Sequence, residues 1–415
     1  NSMCRIINLL FGLLLVLPVM GQTGQRTSNP DDPSRITTNR KDGRFLSSRG
    51  TVQYMLKEMK PAYAFNPDFT ETEFKEWQAG LRSAMQELMH FPEIADSPAP
   101  VCVRTVKRDG YRIEKWESYP LPGSVVPYLV LIPDGVGSGH KVPAMLCIPG
   151  FGGSKEGLAG ETEGDYELTS SPVEPVKKNA MALHYVKKGF VAVAVDNPSC
   201  AELSDNGHFD YLNTSRILLE MGWSYLGLTA WQDWNILNWM KTQNYVDKER
   251  IVVSGFSLGT EPLMVLGALD PSIYAFVYND FMCRTLERIL VMTQPDSKGV
   301  RPFPNSIEHL IPGFLKQFDF PDLVAALAPR PVICTEGGLD RDFNLIKKAY
   351  RLSGKPDNFT FYHYKKFADP KDRKQLEQVP EGVDRDTYFN LANVDPKNHY
   401  FKEEWVLPWL DELLK

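Results

Sequence analysis

The stretch Arg250-Ile251-Val252-Val253-Ser254-Gly255-Phe256-Ser257-Leu258-Gly259 limits this chain more than any other, because a short apolar run ends there in a G-x-S-x-G pentapeptide. Ile251 to Val253 is β-branched and reads as a buried strand, and Pro262 followed by Leu263, Val265 and Leu266 reads as the first turns of a helix. On its own the pentapeptide is common, and a plain Gly/Ser turn is its ordinary meaning. Between a buried strand and a helix it means more. Gly255 and Gly259 leave room where the turn is sharpest, so Ser257 can be held in a strained conformation with its hydroxyl exposed above a sheet. That is a nucleophile elbow.

The N-terminus carries Arg5 and then an apolar run from Ile6 to Met20 with no polar face. It is too short for a membrane span, which needs about 20 apolar residues, and it reads as a secretory signal over residues 1–21, cut after Gly21. Export to the periplasm or beyond follows as an expectation. Removing Cys4 from the six cysteines leaves five, an odd number without framework spacing, so most should be buried thiols. Residues 22–100 read as a polar linker, Thr23 to Arg49, followed by a helical extension. In that extension Phe74, Trp77, Leu81, Met85 and Leu88 recur at helical spacing between Phe69 and Met89. A net charge of -6 with 43% hydrophobic residues allows a large core and offers no basic surface for nucleic acid.

From residue 101 to 415 the pattern is that of one catalytic domain. Val101 to Val103, Tyr111 to Tyr119 and Tyr128 to Ile132 are strands joined by short turns, hence antiparallel. Strands at Ala144 to Ile148, Phe190 to Val195, Ile251 to Val253, Ile273 to Tyr278, Pro331 to Thr335 and Phe359 to Tyr364 then alternate with helices. Such alternation gives an α/β fold with a mostly parallel central sheet and helices on both faces.

With Tyr245-Val246-Asp247-Lys248-Glu249-Arg250-Ile251 leading into the elbow, Ala328-Pro329-Arg330-Pro331-Val332-Ile333 ahead of a loop with Asp340, and Asn398-His399-Tyr400-Phe401 near the end, the chain resembles an α/β-hydrolase. The group is that of the acetyl xylan esterases and dienelactone hydrolases. The resemblance implies the α/β-hydrolase fold, acyl-ester chemistry and a triad in the chain order nucleophile, acid, histidine.

An unassisted serine hydroxyl is a poor nucleophile, so Ser257 needs a neutral imidazole as base and a carboxylate to orient it. Among seven histidines, His399 lies after the sheet at the edge where ligands bind, and His363, in the last strand, is the alternative. For the acid, Asp340 fits best. Asp342 reads as the N-cap of the next helix, and Glu336 as part of the preceding strand.

An oxyanion hole takes one N–H from Leu258, the residue after the nucleophile. The second comes from Pro149-Gly150-Phe151-Gly152-Gly153; the resemblance implies the N–H of Phe151, with Gly152 as the alternative. The loop Asn197 to Glu202 should line the pocket, with Glu202 as a substrate-binding residue. Acyl transfer needs no cofactor, and no close His/Cys/Asp spacing suggests a metal site.

Three long connections, Ser154 to Lys178, Arg284 to Gln317 and Phe367 to Lys397, should frame the site mouth. Phe151 and the 197–202 loop are expected on the acyl side. Polar residues such as Glu161, Glu163, Asp165 and Tyr166 would face the alcohol. The expected substrate is a small or oligosaccharide ester of a short acyl group, acetyl above all. A non-catalytic carbohydrate-binding or complex-forming subunit and a serine peptidase of the same fold are the competing readings.

Overall fold

The parallel half of the sheet is built from runs too apolar to face water on either side, and burying them needs a layer of helices on each face. In the computed structural model this half consists of β4 (Val142–Ile148), β5 (Val191–Val195), β6 (Val246–Phe256), β7 (Ala275–Asn279), β8 (Val332–Cys334) and β9 (Phe359–Phe361). Three antiparallel strands precede them: β1 (Val101–Arg108), β2 (Tyr111–Ser118) and β3 (Val126–Pro133). The order across the nine-stranded sheet is β1-β2-β3-β5-β4-β6-β7-β8-β9. The structure describes residues 40–42, 44, 48–94, 96–161, 178–204, 208–292, 306–380, 383 and 385–415. The expected signal segment, most of the linker, and Glu163, Asp165 and Tyr166 lie outside these.

Side-chain alternation divides the core between the two faces. Ala144, Leu146 and Ile148 of β4, with Ile251 and Val253 of β6, face one apolar cluster; Met145, Cys147 and Val252 face the other. The helices Tyr225–Thr242, Thr260–Leu269 and Asp340–Leu352 cover the first face. Met181–Lys187 and Glu403–Leu413 cover the second.

The helix Glu71–Met89 belongs to the first layer too. A capping box starts it, the Thr70 hydroxyl accepting from the Glu73 N–H and the Glu73 carboxylate accepting from the Thr70 N–H. Phe74, Trp77, Leu81 and Met85 then enter the main core, and Arg82 donates to the Ala268 carbonyl at 3.1 Å.

The chain between β9 and the last helix forms short turns and the helix Arg385–Leu391 around a core of its own, made by Leu339, Tyr364, Phe367, Val379, Tyr388, Phe389, Ala392 and Val394. This is a small module, and it accounts for the length of the connection after Phe367. The five cysteines among the described residues are unpaired, and four of them are buried.

Successive connections from β4 run in opposite directions along the sheet, to β5 on one side and to β6 on the other. At such a switch point a crevice opens beyond the carboxyl ends of the strands. The elbow after β6 and the glycine-rich turn after β4 both lie at it.

Candidate active site

Ser257 has φ 53, in the left-handed region that a residue with a side chain occupies only under constraint. The constraint is close packing. A Cβ on Gly255 would lie 2.3 Å from the Gly259 carbonyl oxygen, and one on Gly259 would lie 2.4 Å from that of Ile148. The elbow therefore presses against both its own helix and the end of β4. A Cβ on Gly150 would stand 3.1 Å from that of Ser257, which places the turn after β4 directly beside the serine.

His399 comes over this elbow from the far end of the chain. Its ring stacks on Phe256, the residue before Ser257, with centroids 4.6 Å apart and planes at 22°. Its Nδ1 lies 2.5 Å from Oε2 of Glu336. The other oxygen of that fully buried carboxylate accepts the Tyr400 N–H at 3.1 Å and the Lys402 ammonium at 2.8 Å. Asn279, at the end of β7, ties the same segment down: it donates to the Tyr400 carbonyl and accepts from the Lys402 N–H. Burial pulls the imidazole toward neutrality, but the hydrogen bond and charge of Glu336, with Asp280 adding to them, outweigh it and hold His399 above its ordinary value.

Asp340, expected from the sequence to orient His399, meets other partners. Asp340 opens the helix Asp340–Leu352 and is shared by Arg373 at 3.3 Å, Gln375 at 2.6 Å and His363 at 3.2 Å. The difference has a simple cause. β8 ends at Cys334, so Glu336 stands just past the strand end, and Gly337 (φ 70) and Gly338 (φ 143) then turn the chain away. Asp342 caps nothing; the N-cap position is Leu339, and the buried Asp342 carboxylate pairs with Arg284 and Arg341, both at 2.8 Å.

Asp280, just beyond β7, has no counterpart in the sequence reading. Its carboxylate, that of Glu336 and a His399 ring nitrogen lie within 4.8 Å of one another, a cluster that sequence spacing did not reveal. Burial pushes Asp280 up to about 6, Glu336 adding to the rise and His399 opposing it. The Lys402 ammonium, on the other Glu336 oxygen, brings a positive charge to the edge of this cluster.

On the opposite side of the elbow, Asn197 at the end of β5 donates to the carbonyls of Pro149 (3.3 Å) and Gly150 (3.1 Å). Lys155, completely buried, has its ammonium 2.7 Å from Asp196, 2.8 Å from Glu156 and 2.7 Å from Glu202. Glu202 also binds Lys115, so its carboxylate is engaged by two lysines rather than offered to a ligand. Glu161 is likewise committed, to Arg108 at 2.9 Å. Burial pushes the Cys200 thiol, 3.8 Å from the Tyr225 hydroxyl, up to about 12. No backbone carbonyl among the described residues takes the Phe151 N–H.

An elbow serine, an imidazole with a buried carboxylate, and a glycine turn at the switch point of a mostly parallel sheet define an α/β-hydrolase. The chain belongs to the Abhydrolase family, whose profile matches residues 27–412. It is similar to a crystal structure of a Bacteroides fragilis protein described provisionally as an acetyl xylan esterase. That likeness has 58% identity and a TM-score of 0.87, over 93% of this chain and 100% of that one. A methylesterase (17% identity, 77% of this chain and 64% of that one, TM-score 0.53) shares the fold alone. So does a promiscuous CE15 esterase from a marine bacterial metagenome (13% identity, 83% and 98%, TM-score 0.51). No curated protein matches the chain.

Proposed function

We propose that this chain is an exported serine esterase that removes short acyl groups, acetyl above all, from carbohydrate. The observation that carries the proposal is the Glu336–His399 pair at 2.5 Å, its imidazole stacked on the residue that precedes a serine with φ 53. With the Nδ1 proton directed at Glu336, Nε2 is free to accept. His399 Nε2 takes the Ser257 proton as Oγ attacks the ester carbonyl, and the N–H groups of Phe151 and Leu258 receive the oxyanion. His399 then gives the proton to the departing alkoxide, and a water activated in the same way releases the acid. In this reading Glu336 takes the place expected of Asp340, and Phe151, whose N–H no backbone carbonyl among the described residues takes, is the donor.

Likeness to a protein described as an acetyl xylan esterase supports the carbohydrate ester, and the apolar run Ile6 to Met20 supports export. No helix among the described residues is long and apolar enough to cross a membrane. A panel of acyl esters assayed with wild type beside Ser257→Ala tests the reading. The variant should keep its melting temperature and lose activity by about 10⁴-fold or more. Near-wild-type turnover would overturn it.

A further inference from the structure

The turn that lies beside the serine also carries a ring that the core does not use. Phe151 is 42% exposed, its centroid 5.1 Å from that of Phe209 and 4.9 Å from that of Tyr211, and the latter two are 4.8 Å apart. Phe209 and Tyr211 are themselves only half-buried. Three aromatic rings in mutual contact and partly open to water, on and beside the turn that bears the proposed oxyanion donor, form the kind of exposed apolar surface that marks a binding site. The backbone beneath them is rigid. Ser199 (φ 61) and Ala201 (φ 52) hold left-handed conformations, the Tyr225 hydroxyl donates to the Pro198 carbonyl at 2.6 Å, and Asn197 fixes the turn that bears Phe151.

We propose that Phe151, Phe209 and Tyr211 are a stacking platform for a pyranose ring of the alcohol half of the ester, next to the acylated position. The proposal rests on the esterase reading and names its substrate side. An acetyl group has one methyl and cannot cover three rings; the sugar can. A pyranose is amphipathic, with C–H groups on its face and hydroxyls on its rim. The platform matches that division: the ring faces are apolar and Tyr211 carries a hydroxyl, exposed His208 precedes Phe209 in the chain, and Thr214, one helical turn on from Tyr211, has its hydroxyl 2.9 Å from that of Ser199. Phe151 thus belongs to the sugar side, not to the acyl side expected from the sequence. Exposed Leu212 makes a long acyl chain the competing occupant.

The test uses Phe209→Ala and Tyr211→Ala, neither of which supplies a proposed catalytic group and both of which meet Phe151 only through its ring, with Phe209→Trp as the ring-retaining control. Substrates are ethyl acetate, which has no ring, ethyl octanoate and acetylated xylo-oligosaccharides, all followed by acid release. Each alanine variant should raise KM for the oligosaccharide about three- to tenfold, in line with the worth of one aromatic contact, with kcat and the ethyl acetate rate nearly unchanged. Phe209→Trp should restore KM. Calorimetry with unacetylated xylo-oligosaccharide should show wild-type binding that the alanine variants lose, a readout independent of turnover. An unchanged KM, an equal loss on ethyl acetate, or a loss that grows with acyl length would overturn the platform. Failure of the esterase reading would be seen separately, as wild type no faster than Ser257→Ala on ethyl acetate.

Discussion

Two of the carboxylate–imidazole pairs, Glu336 with His399 and Asp340 with His363, draw their carboxylates from one short stretch of chain, and their surroundings give them opposite characters. Glu336 is fully buried, directs one oxygen at Nδ1 of His399 and has the other held by Lys402 and a backbone N–H. The imidazole it serves is raised and partly open, 31% exposed at the side chain. Asp340 is divided among Arg373, Gln375 and His363, and burial with the charge of Arg373 pushes His363 down to about 4 despite the carboxylate beside it. A base must gain the proton it abstracts, so the carboxylate's commitment to the imidazole matters more than its presence nearby. In the proposed reaction the first imidazole takes up a proton beside Glu336; the second, His363, is pushed toward neutrality by its packing.

The sharpest way to break this contrast is to remove each carboxylate's charge. Glu336→Gln should lower kcat by about 10³-fold or more, whereas Asp340→Asn should change it by less than about threefold. The reverse ranking would move the acid to Asp340. Because Glu336→Gln leaves Lys402 without its anionic partner, the melting temperature should be measured beside the rate.

A smaller effect sharpens the role of Asp280. The rate should rise with pH as His399 loses its proton, through a value above the ordinary 6.5 given the direction of its shift. Asp280 contributes to that rise, so Asp280→Asn should move the acid limb of kcat/KM to lower pH while the plateau changes less. A limb that stays in place would show that Asp280 is not felt at the imidazole.

The smallest effect is on stability and concerns His363. Unfolded, it binds a proton near 6.5; folded, only near 4. Its neutral burial therefore stabilises the fold fully above pH 6.5, and that contribution is lost as pH falls toward 4, by about 1–3 kcal/mol. His363→Gln should flatten the acid side of the stability curve in urea titrations between pH 7.5 and 4.5. An unchanged slope would mean that His363 is protonated in the fold after all.

What the sequence disclosed follows how local each feature is. The elbow needs five adjacent residues and two flanking elements, and Gly255, Ser257 and Gly259 make contacts that their spacing implies. That His399 lies near the elbow follows from chain order at the sheet's edge. Which carboxylate meets it does not, since whether Glu336 or Asp340 faces the histidine depends on where a three-residue strand stops. Asp280 carries no pattern at all; only the pairing of β7 between β6 and β8 brings it under the imidazole. Lys155 is harder still. Nothing in Ser154-Lys155-Glu156 announces a lysine with no exposed surface, because its partners Asp196 and Glu202 arrive from another strand end.

The module between β9 and the last helix separates two jobs that a single loop would have to combine. Its own apolar cluster stabilises it, while the histidine segment is gripped from outside by Asn279 and Glu336. Such a division leaves the surface of the module without a part in placing His399. Positions of residues 367–397 outside that apolar cluster are accordingly ones that laboratory diversification could rewrite, provided Asn393, which donates to the Gly338 carbonyl, is kept as well.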